Sequence, residues 1–221
     1  KKERQMYKKF YGFSEKPFNT TPDSKFFFPS AKHSEALNSL VYAIDEKKGF
    51  VVITREIGAG KTTVSRALLN RLNVDTRAAL ITNTHLTCKE LIVQILEEFE
   101  VSYQPGSKQK LLSQLNDYLI KQLASNINMV LMIDEAHAIQ ESSFFEEIRL
   151  LLNFQSENQF LLTLFLLGQP ELKNKVESNK QLDQRIALRY HLQNLTADET
   201  ASYILHRLLV AGAKAEIFDE A

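Results

Sequence analysis

The stretch GAGKTT at residues 58–63 combines two glycines, a lysine and two threonines, directly after a short β-branched run. Glycine lets the backbone come close to an anion, and N–H groups at the start of a helix bind phosphate. A lysine here can reach the β- and γ-phosphates of a nucleotide, and the Thr62 hydroxyl can bind Mg²⁺. The stretch is therefore predicted to bind ATP through Gly58, Ala59, Gly60, Lys61, Thr62 and Thr63.

One position departs from the phosphate-loop pattern G-x-x-x-x-G-K-[ST]. Gly60, Lys61 and Thr62 fill the second half of the pattern, and Arg55 stands where its first glycine is expected. If the backbone at Arg55 is strained, the strain costs about 1–3 kcal/mol. We expect this cost to weaken nucleotide binding without abolishing it.

A second signal lies in the stretch NMVLMIDEAHAI, where Asp134 and Glu135 follow a buried apolar run. In a parallel sheet the carboxyl ends of the strands face the ligand crevice. Asp134 can then hold Mg²⁺ through water, opposite Thr62, and Glu135 can orient and polarise the attacking water. Together with the lysine, these residues predict a Mg²⁺-dependent ATPase that uses ATP and Mg²⁺.

Gln169 follows the next apolar run, in the stretch LLGQPEL. Its side chain could bridge the attacking water and the γ-phosphate, or it could be a loop glutamine that contacts solvent. The residue types do not decide between these two interpretations.

Apolar strands alternate with helices along the chain, which predicts an α/β fold of the P-loop NTPase type. Its parallel sheet should carry helices on both faces. We divide the chain into a basic tail with an extended segment (1–30), an ATPase core (31–194) and the start of a helical lid (195–221). Strands are predicted at residues 50–54, 78–82, 128–133, 160–167 and 190–193, and helices at 61–72, 89–99, 108–123, 142–153 and after a capping box at Thr196.

Composition narrows the function classes. The formal net charge is +0, which does not favour a protein that grips DNA with its whole surface. A single cysteine, Cys88, excludes an internal disulfide. The most apolar run, FLLTLFLLG, is far shorter than the ~20 residues of a membrane helix, so no transmembrane segment is expected.

The chain resembles the AAA+ ATPases, and among them the general secretion pathway protein A (ExeA-type) group. The resemblance covers nearly the whole chain and rests on four stretches: MYKKFYGFSEKPFNTTPDSKFFFPS, EALNSLVYAIDEKKGFVVIT, LLGQPEL and LDQRIALRYHLQNLTADETASYILHRL. It implies a homo-oligomer in the cytoplasm at the inner-membrane face. There it would work with a membrane-associated protein partner and couple ATP hydrolysis to assembly of a secretion or pilus complex.

The resemblance also implies roles for single residues. Gln169 falls near the sensor 1 position, and the sensor 2 arginine would lie beyond Ala221. Arg185 or Arg189 matches the place of an arginine finger that acts on a neighbouring subunit's nucleotide. The alternative for Arg185 is an ion pair with Asp183 or Glu177 on a solvated face.

Three other functions stay open beside a secretion ATPase. A DNA-transaction regulator of the transposition type would share a similar core. The letters DEAH at residues 134–137 suggest a helicase, but such helicases need two cores and this chain has room for one. A nucleotide-binding scaffold with weak hydrolysis is the third, and Arg55 supports it.

Overall fold

The structure is a computed structural model that describes residues 3–19, 24–56, 61–157, 159–214 and 217–218. The side chains of residues 3–6, 24 and 61–64 lie outside the described part. Among the described helices, none combines the length and apolar character needed to cross a bilayer.

Five parallel strands form one sheet in the order β2-β3-β4-β1-β5, which confirms the predicted parallel α/β fold. The strands are β1 Phe50–Arg55, β2 Thr76–Ile81, β3 Asn128–Ile133, β4 Thr163–Gly168 and β5 Leu188–Leu192. Strand β4 lies between β1 and β3, with Thr54 paired to Gly168 and Ile133 paired to Leu166. The ends of β1 and β3 therefore face each other across the end of β4.

Nine α-helices occur in the described residues. They are α1 Glu3–Phe10, α2 Ala31–Asp45, α3 Lys61–Leu69, α4 Cys88–Glu98, α5 Lys108–Ala124, α6 Ser142–Leu151, α7 Glu171–Ser178, α8 Lys180–Asp183 and α9 Ala197–Val210. Capping boxes begin α4 at Thr87, with Glu90, and α9 at Thr196, with Glu199, and the second was predicted from the sequence. Short 3₁₀ turns occur at Ser24–Phe26 and Ala136–Ala138.

Alternating side chains of the strands fill two separate layers of the core. Phe50 and Val52 pack with α4, α5 and α6 on one face of the sheet. Val51 and Ile53 pack with α2 and α3 on the other face. Both faces are thus covered, which explains why the strands are continuous apolar runs. Because helices pack on both faces, the strand ends, where the predicted site lies, are held in fixed positions.

The predicted start of β4 was wrong. Residues 160–162 were predicted as strand, but β4 begins at Thr163, and Phe160 forms an isolated antiparallel bridge with Gln155. The basic N-terminal tail contains helix α1, which was not predicted from the sequence. Periodicity alone could not separate an apolar turn from an apolar strand.

The segment after α1 packs against α9. Phe13 and Phe26 form a small buried cluster with Leu208 and Ala211. The Ser14 N–H donates to the Ala211 carbonyl at 2.8 Å, and the Arg207 guanidinium lies 4.8 Å from the centre of the Phe26 ring. The residues predicted as an extended segment and as the start of a lid therefore pack together.

Candidate functional site

Arg55 ends strand β1 at the carboxyl edge of the sheet, and it is one of the most buried side chains of the protein. The residue is only 1% exposed. Its side chain reaches across the end of β4, where Gly168 presents no side chain, to the acidic pair that follows β3. A Cβ added at Gly168 would lie 3.0 Å from the His137 backbone nitrogen, so the space at this strand end is closely limited.

The Arg55 guanidinium forms ion pairs with both predicted acidic residues. Its Nη2 donates to Asp134 Oδ1 at 2.6 Å and to Glu135 Oε1 at 3.1 Å. The Asp134 side chain is 9% exposed, whereas the Glu135 side chain is 36% exposed. Because a buried charge without a partner is costly, the contact with Asp134 is the more important of the two.

The backbone of the acidic pair adopts an unusual conformation at Glu135. The Asp134 N–H donates to the Ile81 carbonyl and so continues the β2–β3 ladder by one residue. Glu135 then adopts a left-handed conformation with φ 54°, and its N–H donates to Asp134 Oδ1 at 2.7 Å. Such a backbone in a non-glycine residue costs about 1–3 kcal/mol and is common at functional sites.

His137 and Lys175 support the turn after the acidic pair. His137 Nε2 lies 3.5 Å from Glu135 Oε2. The Lys175 ammonium donates to the backbone carbonyls of His137 and Ile139, and thereby ties α7 to this turn.

The predicted phosphate loop falls largely outside the described residues. This applies to Gly58, Ala59 and Gly60. Lys61, Thr62 and Thr63 begin helix α3, as the motif requires, but their side chains belong to the undescribed part. The roles of these six residues in nucleotide binding stay predictions.

Of the other predicted site residues, Gln169 lies at the edge of the sheet that carries the acidic pair, whereas Arg185 and Arg189 lie away from that pair. Gln169 directly follows β4 at the carboxyl edge of the sheet and is half-buried. Arg185 donates to Asn153 Oδ1 at 2.8 Å, and so it does not form the alternative ion pairs considered from the sequence. Arg189 is exposed and pairs with Asp183 at 2.5 Å. Neither arginine contacts the acidic pair of its own chain, and their role as a finger stays a prediction.

A chain of polar contacts at the ends of β1 and β5 was not predicted. Thr54 Oγ1 lies 2.9 Å from His191 Nδ1, and His191 Nε2 lies 3.4 Å from Glu56 Oε1. Glu56 follows Arg55 and occupies the second position of the phosphate-loop pattern. The alternation of β5 could have shown that His191 and Arg189 lie on the same side of the sheet, but not that His191 contacts Thr54.

The magnesium roles predicted for Asp134 and Thr62 stay predictions. Asp134 Oδ1 already accepts hydrogen bonds from Arg55 Nη2 and from the Glu135 N–H. These two bonds use both lone pairs of this oxygen, so a contact with Mg²⁺ through water would use Oδ2. The Thr62 side chain belongs to the undescribed part.

Comparison with known proteins defines the class. The family described as AAA domain matches residues 44–176, and the chain belongs to this family. The match includes β1, the loop motif and the acidic pair, which places the chain among the nucleotide-binding AAA+ proteins. The chain is also 40% identical over 216 residues to general secretion pathway protein A of Aeromonas hydrophila. This similarity confirms the resemblance found in the sequence.

The alignment covers 96% of this chain and 39% of the Aeromonas protein, so the chain spans well under half the length of that relative. Solved structures share the fold. The ORC2 protein of Aeropyrum pernix, in ADPNP–ADP complexes, has a TM-score of 0.68 and 13% identity, over 90% of this chain and 56% of that one. A Walker-type ATPase of Pyrococcus abyssi has a TM-score of 0.63 and 16% identity, over 91% of this chain and 64% of that one.

Proposed function

We propose that the protein binds and hydrolyses ATP, and that this reaction drives assembly of a secretion or pilus complex at the bacterial envelope. The observation that carries the proposal is that the end of β1, which leads into the loop motif, lies at the same edge of the sheet as the acidic pair and Gln169. The similarity to general secretion pathway protein A over 96% of the chain supports the secretion role. The proposed place of action is the cytoplasmic face of the inner membrane.

In the proposed reaction, the loop N–H groups and Lys61 hold the phosphates, because a helix start and a lysine both favour negative charge. Glu135 takes a proton from a water molecule that attacks the γ-phosphorus. The bond between that phosphorus and the bridging oxygen breaks, and ADP leaves. Gln169 would orient the water. Oε1 of Glu135 accepts from Arg55, so the proton would go to Oε2 or Arg55 would first move.

A neighbouring subunit would complete the site. Arg185 lies between α8 and β5 and is half-buried. In a homo-oligomer this arginine, with Arg189 as the alternative, could stabilise charge on the phosphoryl group of the adjacent chain. Fingers of this kind raise the rate about 10³–10⁵-fold in GTPases. We therefore expect turnover per chain to rise with protein concentration.

A second candidate function is a nucleotide-binding scaffold that hydrolyses ATP only weakly. The contact between Arg55 and Glu135 favours it, because the predicted base is already engaged. A DNA-transaction regulator has no comparable support, because the formal net charge of the chain is +0.

Phosphate release by the purified chain, with and without double-stranded DNA, separates these functions. The proposal predicts turnover that Lys61→Ala removes and that DNA leaves unchanged. Strong stimulation by DNA would indicate a DNA-transaction regulator instead. Tight ATP binding with no release above that of Lys61→Ala would indicate the scaffold.

A further inference from the structure

We propose that His137 is a positioning residue for Glu135, and that its ring determines which oxygen of that carboxylate takes the proton of the attacking water. The inference rests on the proposed function, because it concerns how the base of that reaction is held. His137 follows Glu135 by two residues and lies in the 3₁₀ turn Ala136–Ala138.

The backbone of the turn brings the two side chains together. Glu135 has φ 54°, and its carbonyl accepts from the Ala138 N–H at 2.8 Å, which closes a tight turn. From helix α7 the Lys175 ammonium donates to the His137 carbonyl at 2.6 Å. On the other side the His137 backbone nitrogen lies so close to Gly168 that a Cβ there would be 3.0 Å away. The backbone at His137 is therefore held from two sides, and the ring starts from a fixed position.

The His137 ring contacts the oxygen of Glu135 that Arg55 leaves open. Arg55 Nη2 donates to Oε1 at 3.1 Å, whereas His137 Nε2 lies 3.5 Å from Oε2. An ionised carboxylate can only accept, so the proton of this contact is on Nε2. The other ring nitrogen, Nδ1, is buried and has no hydrogen-bond partner among the described residues, so the contact with Glu135 is what orients the ring. The 3.5 Å distance is long for a hydrogen bond, and contacts between catalytic groups often shorten in the complex with substrate.

Two contacts orient the carboxylate more closely than one. The Glu135 side chain is 36% exposed, so with Arg55 alone it could rotate about Oε1 toward solvent. His137 removes this freedom by holding Oε2. Each carboxylate oxygen has two lone pairs, and His137 occupies one of those on Oε2. The second lone pair of Oε2 then takes the proton of the water, and the fixed geometry of the base raises the rate of that step.

His137→Gln and His137→Met are a matched pair that tests this role. Both side chains are unbranched and similar in length, and only glutamine can donate a hydrogen bond to Oε2. Phosphate release by the full chain gives kcat and KM for ATP. His137→Met should lower kcat about tenfold, as expected for a lost hydrogen bond to a charged group. Its KM should change less than about twofold, because the ring contacts the base and not the nucleotide.

His137→Gln should keep kcat within about threefold of the parent, because its amide nitrogen replaces Nε2 as the donor. A histidine that only packs in the turn would give equal losses in the two variants, or none, and either result would overturn the inference. Circular dichroism checks that both variants are folded, and His137→Ala replaces His137→Met if the latter is not. A folded His137→Gln whose kcat falls about tenfold or more would by itself overturn the inference.

The same assay separates failure of the inference from failure of the proposed function. Phosphate release by the parent that does not exceed that of Lys61→Ala would overturn both. Turnover that is lost in Glu135→Gln and unchanged in His137→Met would overturn the inference alone, because the base would act without the second contact.

Discussion

The buried ion pair makes Asp134 a stability determinant, and Asp134→Asn tests this. Breaking a buried pair by removing one partner costs about 3–5 kcal/mol. Here the Arg55 side chain is 1% exposed and that of Asp134 is 9% exposed, so water cannot replace the lost charge. Glu135 still accepts from Arg55 at 3.1 Å, and the asparagine oxygen can still accept a hydrogen bond. Both effects place the expected loss at the low end, about 3 kcal/mol.

Thermal unfolding followed by circular dichroism measures this loss. For a chain of this size about 3 kcal/mol corresponds to a decrease in Tm of about 6–12 °C. Glu135→Gln is the matched control: its side chain is 36% exposed, so the lost pair should cost under about 1 kcal/mol.

The double variant Arg55→Met/Asp134→Asn sharpens the test, because it leaves no buried charge without a partner. It should be more stable than Asp134→Asn alone, since replacing a buried pair by neutral groups is often neutral or stabilising. An Asp134→Asn variant whose Tm lies within about 2 °C of the parent would refute the reasoning. So would a double variant that is no more stable than the single one.

Three further predictions concern catalysis and capping. Glu135→Gln should keep ATP binding and lose phosphate release. Release at the parent rate would show that another residue activates the attacking water. Arg185→Ala and Lys61→Ala should each be inactive alone and regain activity when mixed, whereas full activity of Arg185→Ala alone would move attention to Arg189. The Thr196 N–H donates to Glu199 and holds the pKa of that carboxyl below its ordinary value. Its stabilising contribution is therefore complete above the ordinary pKa and is lost as pH falls through the lowered one. NMR titration should give a pKa below about 4.3, and a value at or above it would contradict this.

The sheet and the edge that carries the site could be predicted because each depends on local patterns. The β-branched run at residues 50–54, the apolar run at residues 128–133 and the capping boxes each specify one element, and the structure places all of them close to the predicted bounds. The parallel alternation then brings the strand ends to one edge. Glu135 and Gln169 reach this edge in the structure for that reason.

The partner of Arg55 could not be predicted, because it depends on strand order. The sequence does not state that β4 lies between β1 and β3, and the reach of Arg55 to Asp134 exists only with that order. The loop pattern concerns the backbone at position 55 and does not indicate what the charged side chain of Arg55 contacts. A basic residue at the end of one parallel strand and an acidic pair at the end of another were the available signal.

The central claim, that the chain binds ATP despite Arg55, is tested most directly by titrating a fluorescent ATP analogue against the parent and against Lys61→Ala. The account predicts saturable binding with one site per chain in the parent and a large loss of affinity in Lys61→Ala, because the phosphates lose their lysine. A parent that shows no saturable binding, while Arg55→Gly does, would contradict the claim. Equal binding by parent and Lys61→Ala would show that Lys61 does not hold the phosphates and would contradict the predicted place of binding.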